Sequence, residues 1–164
     1  MTPEMSRPIP VDRVGEGLRY VVNSTEAERQ AVAVRMGLVA LPEFTCVFEL
    51  RRADRNCVMA AGELRARAVQ TCVISLETFE EEIVEDFLVR FVPDGKQTED
   101  VDLEAEDEIP YVGTTLDLGE AATEQLALAL DPFPRKPGAS LPSEEEQNAP
   151  KGPFAALHRL KNDE

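Results

Sequence analysis

Apolar side chains recur along this chain with the period of an α-helix in some segments and with that of a β-strand in others. From Asp117 to Leu130 they return every three to four residues, as in an amphipathic helix. The stripe consists of Leu118, Ala122, Leu126 and Ala129. Glu120 follows Asp117 at the spacing of a capping box, and Pro132 bounds the far end. This pattern predicts a helix over 117–130 that packs on a sheet.

A second helix is predicted between Ser24 and Gly37. Thr25 and Glu28 have the spacing of a capping box, and Gly37 is a favourable C-terminal stop. The residues expected on its buried face are Ala27, Ala31 and Val34, extended by Val32 and Met36.

Three stretches alternate between apolar and polar residues with the period of a β-strand. They lie at 44–51, 63–74 and 83–92. In the first stretch, the residues expected to face the core are Phe44, Cys46, Phe48 and Leu50. From Val69 onward the second stretch is apolar at most positions, which predicts that both of its sides are covered. Because the connections are short, an antiparallel meander is the simplest topology.

Shorter extended segments are expected at 18–22 and 109–116. The fold class is therefore α+β: an antiparallel β-meander of about four to six strands, with two packed helices and an irregular C-terminal tail. We assign residues 1–130 to one α+β domain with an acidic loop at about 94–108. Residues 131–164 form a proline-rich flexible tail, because their composition buries too little apolar surface to order the chain.

The tail contains a short amphipathic motif at 152–161. Its apolar positions follow a helical spacing, and its candidate docking residues are Phe154, Leu157, Leu160 and Lys161. Such a motif on a tether either docks on a partner protein or packs back on its own domain.

The formal net charge is −15, from 17 basic and 32 acidic residues. Residues 51–67 contain five arginines and two acids, a net charge of +3. These arginines are candidates for binding RNA or a partner: Arg51, Arg52, Arg55, Arg65 and Arg67. Residues 77–108 contain 14 acids and two basic residues, a net charge of −12. This acidic stretch is a solvated linker, a contact for a basic protein, or an arm that mimics nucleic acid.

No arrangement of residues in the sequence points to catalysis. The three cysteines, Cys46, Cys57 and Cys72, form no C-x-x-C pair, and the one histidine, His158, lies in the tail. There is no phosphate-binding glycine loop and no G-x-S-x-G elbow. We therefore expect no catalytic residue, no metal and no cofactor.

No apolar run reaches the length of a membrane span, and the N-terminus has no apolar core of a signal peptide. These features predict a cytoplasmic protein that contacts no membrane. The oligomeric state is not determined by the sequence.

Two C-terminal motifs carry a family resemblance. The segments 116–134 (LDLGEAATEQLALALDPFP) and 153–161 (PFAALHRLK), together with the hairpin from Gly62 to Pro93, resemble the YceD family, also called DUF177. The resemblance implies a role in the synthesis, processing or stability of 23S rRNA. Its implied partners are a ribosomal precursor or a basic ribosomal or assembly protein. We expect a non-enzymatic accessory factor, and the alternative is an acidic adaptor that does not contact RNA.

The chain departs from the family at the hairpin. Many members have C-x-x-C where this chain has Cys72-Val-Ile-Ser75, so a zinc site there is in doubt. In its absence we expect the hairpin to be held by the packing of Cys72, Ile74 and Phe79.

Overall fold

The computed structural model describes residues 3–54, 56–96 and 107–138. The strands are β1 Pro8–Pro10, β2 Leu18–Asn23, β3 Ala40–Asp54, β4 Cys57–Thr71, β5 Thr78–Pro93, β6 Asp107–Tyr111 and β7 Thr115–Asp117. The helices are α1 Glu26–Met36 and α2 Leu118–Ala129, and one turn of 3-10 helix occupies Val11–Arg13.

Five strands form one sheet in the order β2-β3-β4-β5-β6, while β1 and β7 form a separate antiparallel pair. Strands β2 to β5 are antiparallel neighbours, so the α+β class and the predicted meander are confirmed. The last pair differs, because β6 runs parallel to the end of β5 from Val89 to Pro93. Parallel pairing needs a connection of about a dozen residues or more, and the sequence separation between Pro93 and Asp107 is long enough for one.

One face of the sheet, here called the inner face, carries the core beneath the two helices. The predicted core residues of β3 are buried there, together with Leu64 and Ala66 of β4. The stripe on α2 is confirmed, since Leu118, Ala122 and Leu126 are fully buried against this face.

The second predicted helix begins and ends where expected, but its predicted buried face was wrong in part. Thr25 and Glu28 form a reciprocal capping box, and Gly37 ends α1 with φ of 71°. Val34, expected in the core, is 82% exposed, whereas Val32 is buried as expected and Ala33, which was not predicted, is buried beside it. Several faces of this short helix carry small apolar residues, so its contact with β3 and not its own pattern decides which face is buried.

The opposite, outer face of the sheet has no layer packed on it among the described residues. Val69 is only partly buried and Val73 is 48% exposed. The expectation that this part of the chain is covered on both sides was therefore wrong. Alternation in sequence identifies a strand, but it does not show whether a second layer covers its polar face.

Candidate interaction surfaces

Asp117 fastens the N-terminal segment to the start of α2. Its carboxylate accepts a hydrogen bond from the backbone N–H of Glu120 at 3.1 Å, as a helix cap does. The same carboxylate accepts from the N–H of Arg7 at 2.8 Å and from the hydroxyl of Ser6 at 2.7 Å. The Glu120 carboxylate binds Arg35 instead, so the capping box predicted for this helix is only half formed.

Arg7 makes a bidentate ion pair with Glu28 at the start of α1. Its Nη1 and Nη2 lie 2.8 and 2.9 Å from the two carboxylate oxygens. The hydrogen bond from Arg7 lowers the pKa of Glu28. Together, Asp117 and this ion pair tie β1 to both helices, and so they fix the layer that covers the inner face.

The five candidate arginines do not share one surface. Arg51 and Arg52 are consecutive on β3, so they point to opposite faces. Arg51 is exposed on the outer face, opposite Met59, whereas the Nη2 of Arg52 lies 3.2 Å from a carboxylate oxygen of Asp12 on the other side. Arg55 lies outside the described residues.

Arg65 and Arg67 lie on the outer face with Arg51, but farther along the sheet. Arg65 is six residues along β4 from Met59, which is about 20 Å at strand spacing. Its Nε lies 2.7 Å from a carboxylate oxygen of Glu63, and this hydrogen bond raises the pKa of Arg65. Arg65 and Arg67 are therefore neighbours on the outer face, whereas Arg51 lies apart from both.

Arg67 is also close to acids. Its Nε lies 3.3 Å from Glu43, and its Nη1 lies 3.9 Å from Glu80. These pairs are well exposed, so each contributes at most about 1 kcal/mol and exchanges readily with another partner.

A shallow groove of about 540 Å³ lies on the outer face beside Arg51. Arg19 and Arg51 stand at its sides, and its apolar part comes from Met59, Ala61 and Leu88. An open groove of this kind suits a flat contact with a macromolecule better than enclosure of a small molecule.

Strand β5 carries the densest run of acids in the described part of the chain. Between Thr78 and Leu88 it has no basic residue, and its five acids are all exposed: Glu80, Glu81, Glu82, Glu85 and Asp86. The strand predicted at 83–92 contained Glu85 and Asp86, but sequence reasoning missed that Glu80, Glu81 and Glu82 belong to the same strand. The alternation of Ile83 and Phe87 with acids on the same face was the signal for that strand.

The turn after β4 is held by hydrogen bonds as well as by packing. The N–H of Cys72 donates to the carbonyl of Glu77 at 2.8 Å, and the N–H of Val73 donates to the carbonyl of Pro134 at 3.0 Å. Lys136 Nζ lies 2.8 Å from a carboxylate oxygen of Glu77. The segment after α2 is thereby fastened to this turn.

Cys72 is enclosed by this turn and by the segment after α2. The backbone N–H of Lys136, with hydrogen bonds from Ser75, lowers the pKa of Cys72 to about 6. The thiol is covered, but only by peripheral loops, so these hydrogen bonds outweigh desolvation. Cys46, inside the apolar core, shows the opposite effect, because burial raises its pKa to about 12.

Cys72 is buried and both Ile74 and Phe79 are partly buried, and their mutual packing stays a prediction. The residues do not fit a zinc site, because only one thiol stands at the position of the C-x-x-C pair. Within the described ranges, no group of three or more histidine, cysteine, aspartate or glutamate residues is placed to hold a metal ion.

The candidate tail residues, His158 and the acidic residues 97–106 lie outside the described residues. In the part of the chain that the structure describes, no helix is long and apolar enough to cross a membrane.

These features define an α+β protein built on one open sheet, with charged surfaces at its outer face and at β5. The family described as "Large ribosomal RNA subunit accumulation protein YceD" matches residues 60–161, which is well over half of the 164 residues. The chain belongs to this family, whose name implies a role in the accumulation of the large ribosomal RNA. The match begins within β4 and includes β5 to β7, α2 and the tail motif.

The comparisons with curated proteins and with solved structures gave no match. The family match is therefore the finding that connects this chain to a biological process.

Proposed function

We propose that this protein is a non-enzymatic accessory factor of ribosome biogenesis in the cytoplasm. It supports the synthesis, processing or stability of 23S rRNA by binding. The observation that carries the proposal is the family match over residues 60–161. The proposed partner is a ribosomal precursor, contacted through one of its basic proteins or through a basic assembly protein.

The electrostatics favour a basic protein as the principal partner. A net charge of −15 repels a phosphate backbone at long range and attracts a cationic surface. The acids of β5 concentrate this charge on an exposed strand. Such an interaction weakens as salt screens it.

Direct contact with rRNA is a second part of the proposal and concerns the five candidate arginines. Arg51 is the best placed of those described, because it is exposed and no ion pair engages it among the described residues. Arg65 and Arg67 reach a phosphate only by leaving their carboxylate partners, which costs little for exposed pairs. Arg52 and Arg55 are the other two arginines proposed to contact rRNA.

The RNA contact is tested by comparing Arg51→Gln with Arg13→Gln, which removes an equally exposed arginine from the 3-10 turn. If Arg51 contacts a phosphate, its variant alone lowers the slope of affinity for precursor rRNA against salt by about one. Equal slopes in both variants would remove Arg51 from the interface.

The alternative function is an acidic adaptor that binds proteins and does not contact RNA. The pairing of Arg65 and Arg67 with carboxylates favours it, since these side chains then present little net positive charge. In this alternative the tail residues Phe154, Leu157, Leu160 and Lys161 recruit the partner.

Removing residues 151–164 separates the two functions. The adaptor alternative gains if the deletion abolishes one protein contact and leaves the level of 23S rRNA normal. The biogenesis proposal gains if both are lost together.

The proposed function as a whole is tested by depleting the protein and measuring 23S against 16S rRNA. The protein is also captured from extracts over a series of salt concentrations. We expect a selective fall of 23S rRNA, and large-subunit precursors bound at low salt and released at high salt. Normal 23S levels, with no precursor bound at low salt, would refute the proposal.

A further inference from the structure

The edge of the sheet formed by β5 is longer than the strand that covers it. On one side β5 pairs with β4 from Thr78 to Phe91. On the other side β6 pairs only with the stretch from Val89 to Pro93. Among the described residues, no strand pairs with Thr78–Leu88 on the side away from β4. This free stretch presents a row of backbone N–H and C=O groups, to which another extended chain can pair.

We infer that this edge, Thr78–Leu88, binds an extended Lys/Arg-rich segment of a protein as an additional strand of the sheet. The inference deepens the binding role proposed above and rests on it. The unpaired backbone groups supply the hydrogen bonds, and the side chains of β5 select the partner, as in other cases of β-strand addition.

On each face of this edge an apolar side chain lies between two acids, an arrangement that suits a basic strand. On the outer face Val84 lies between Glu82 and Asp86, and on the inner face Ile83 lies between Glu81 and Glu85. A strand in which two basic residues are followed by two β-branched residues would place cations beside the acids on both faces and apolar groups beside Val84 and Ile83. Opposite charges across neighbouring strands stabilise the pairing, whereas like charges destabilise it.

The same charges exclude a second copy of this chain at the edge. Pairing of β5 with β5 would bring acids beside acids, because the free stretch has no basic residue. Charged side chains commonly protect an edge strand from pairing with itself. Here all the protecting charges are negative, so the edge rejects acidic and apolar strands and admits a basic one.

The other edge of the sheet provides an internal comparison. Strand β2 is short and carries Arg19 and no acid. The carbonyl of Asn23 already accepts a hydrogen bond from Arg7 at 2.7 Å. This edge therefore has the wrong charge for a basic segment, and one of its acceptors is already used.

The inference is tested with the full-length protein and an acetylated Lys-Arg-Val-Val-Lys-Arg-Val amide, which follows the order of acids and apolar residues from Glu81 to Phe87. A second peptide of the same sequence has alternate backbone nitrogens methylated, which keeps its charge but prevents strand pairing. Hydrogen exchange locates the contact. We expect the first peptide to slow amide exchange between Thr78 and Leu88 and not in β2, and the methylated peptide to bind at least tenfold more weakly.

The charge requirement is tested with the double variant Glu81→Gln, Glu85→Gln. Its control is Glu16→Gln, Glu26→Gln, which changes the net charge equally at exposed acids far from the edge. We expect the edge variant to weaken binding about fivefold and the control to change it less than twofold.

The inference is overturned if neither peptide binds, if the methylated peptide binds equally well, or if both double variants weaken binding alike. The last two results would indicate attraction to the overall charge without strand pairing. Because 23S rRNA levels and precursor capture are measured separately, failure of the peptide test leaves the proposed function standing. A normal 23S level and no precursor bound at low salt, with peptide binding intact, would refute the proposed function alone.

Discussion

Replacement of Gly62 by alanine tests the packing at the centre of the sheet. Gly62 lies on the inner face of β4, between Phe48 of β3 and Phe87 of β5. A Cβ at this position would overlap the ring of Phe87, with Cε1 only 2.6 Å away. The two phenylalanine rings meet edge to face, with centroids 5.6 Å apart and an angle of 75° between their planes. The absence of a side chain at Gly62 is what allows the ring to lie there.

The expected cost follows from what Phe87 loses when its ring is displaced. Full burial of a phenylalanine contributes about 1.5–3 kcal/mol, and Phe87 is only partly buried, so about half of this is lost. The ring pair contributes about 0.5–1.5 kcal/mol more. Alanine recovers about 0.5–1 kcal/mol, because it restricts the unfolded chain more than glycine. We therefore expect Gly62→Ala to lower the free energy of unfolding by about 1–2 kcal/mol.

The assay is equilibrium unfolding in urea, where a loss of this size lowers the midpoint by about 0.5–1 M. The matched control is Gly17→Ala, whose Cβ would approach only the carbonyl oxygen of Leu50, at an ordinary 3.9 Å. In a Phe87→Ala background, Gly62→Ala should be neutral or stabilising, because no ring remains to be displaced. An unchanged midpoint for Gly62→Ala alone, or an equal loss in both backgrounds, would refute the reasoning.

Three further predictions concern the layer on the inner face and the turn after β4. Gly119→Ala should lower the free energy of unfolding by about 1–3 kcal/mol, because its Cβ would lie 2.7 Å from the carbonyl oxygen of Met5. Unfolding in urea measures this loss, and a neutral effect would contradict the close approach. Glu28→Gln should cost about 1 kcal/mol at neutral pH through loss of the ion pair with Arg7. Because the folded pKa of Glu28 is lowered, this difference should vanish as the pH falls below 4.5 and through that pKa, and a difference that persists in acid would contradict it. The thiolate absorbance of Cys72 should titrate near pH 6 and be missing in Cys72→Ser, whereas titration near 9 would show that the hydrogen bonds do not act on it.

The elements that the sequence predicted correctly are those that depend on neighbours along the chain. The cap at Thr25, the stop at Gly37 and the buried stripe of α2 need residues only a few positions apart. The predicted strands were confirmed, but their bounds were not: β3 and β5 extend past the predicted stretches at both ends, whereas β4 begins before residue 63 and ends at Thr71, before the predicted end at 74. Pairing with a neighbouring strand keeps residues extended where their own pattern no longer requires it.

The candidate site was less predictable, because its properties arise between strands. Clustering in sequence suggested one group of five arginines, but strand alternation separates Arg51 from Arg52, and carboxylates of other strands meet Arg67. The lowered pKa of Cys72 depends on the N–H of Lys136, which is distant in the sequence. Neither the carboxylates that meet Arg67 nor the hydrogen bond from Lys136 to Cys72 can be inferred from residues that are neighbours in the sequence. The tail residues remain predictions.

The sequence by itself determined the fold class, the start of each helix and the family, because local periodicity, capping and two short motifs are encoded between near neighbours. Only the tertiary structure decided which face of α1 is buried, that the outer face lacks a covering layer in the described residues, and that β6 covers only the end of β5. These outcomes depend on the register between strands and on where a long connection returns. The free edge at Thr78–Leu88, which we propose as the binding surface, is one of these outcomes.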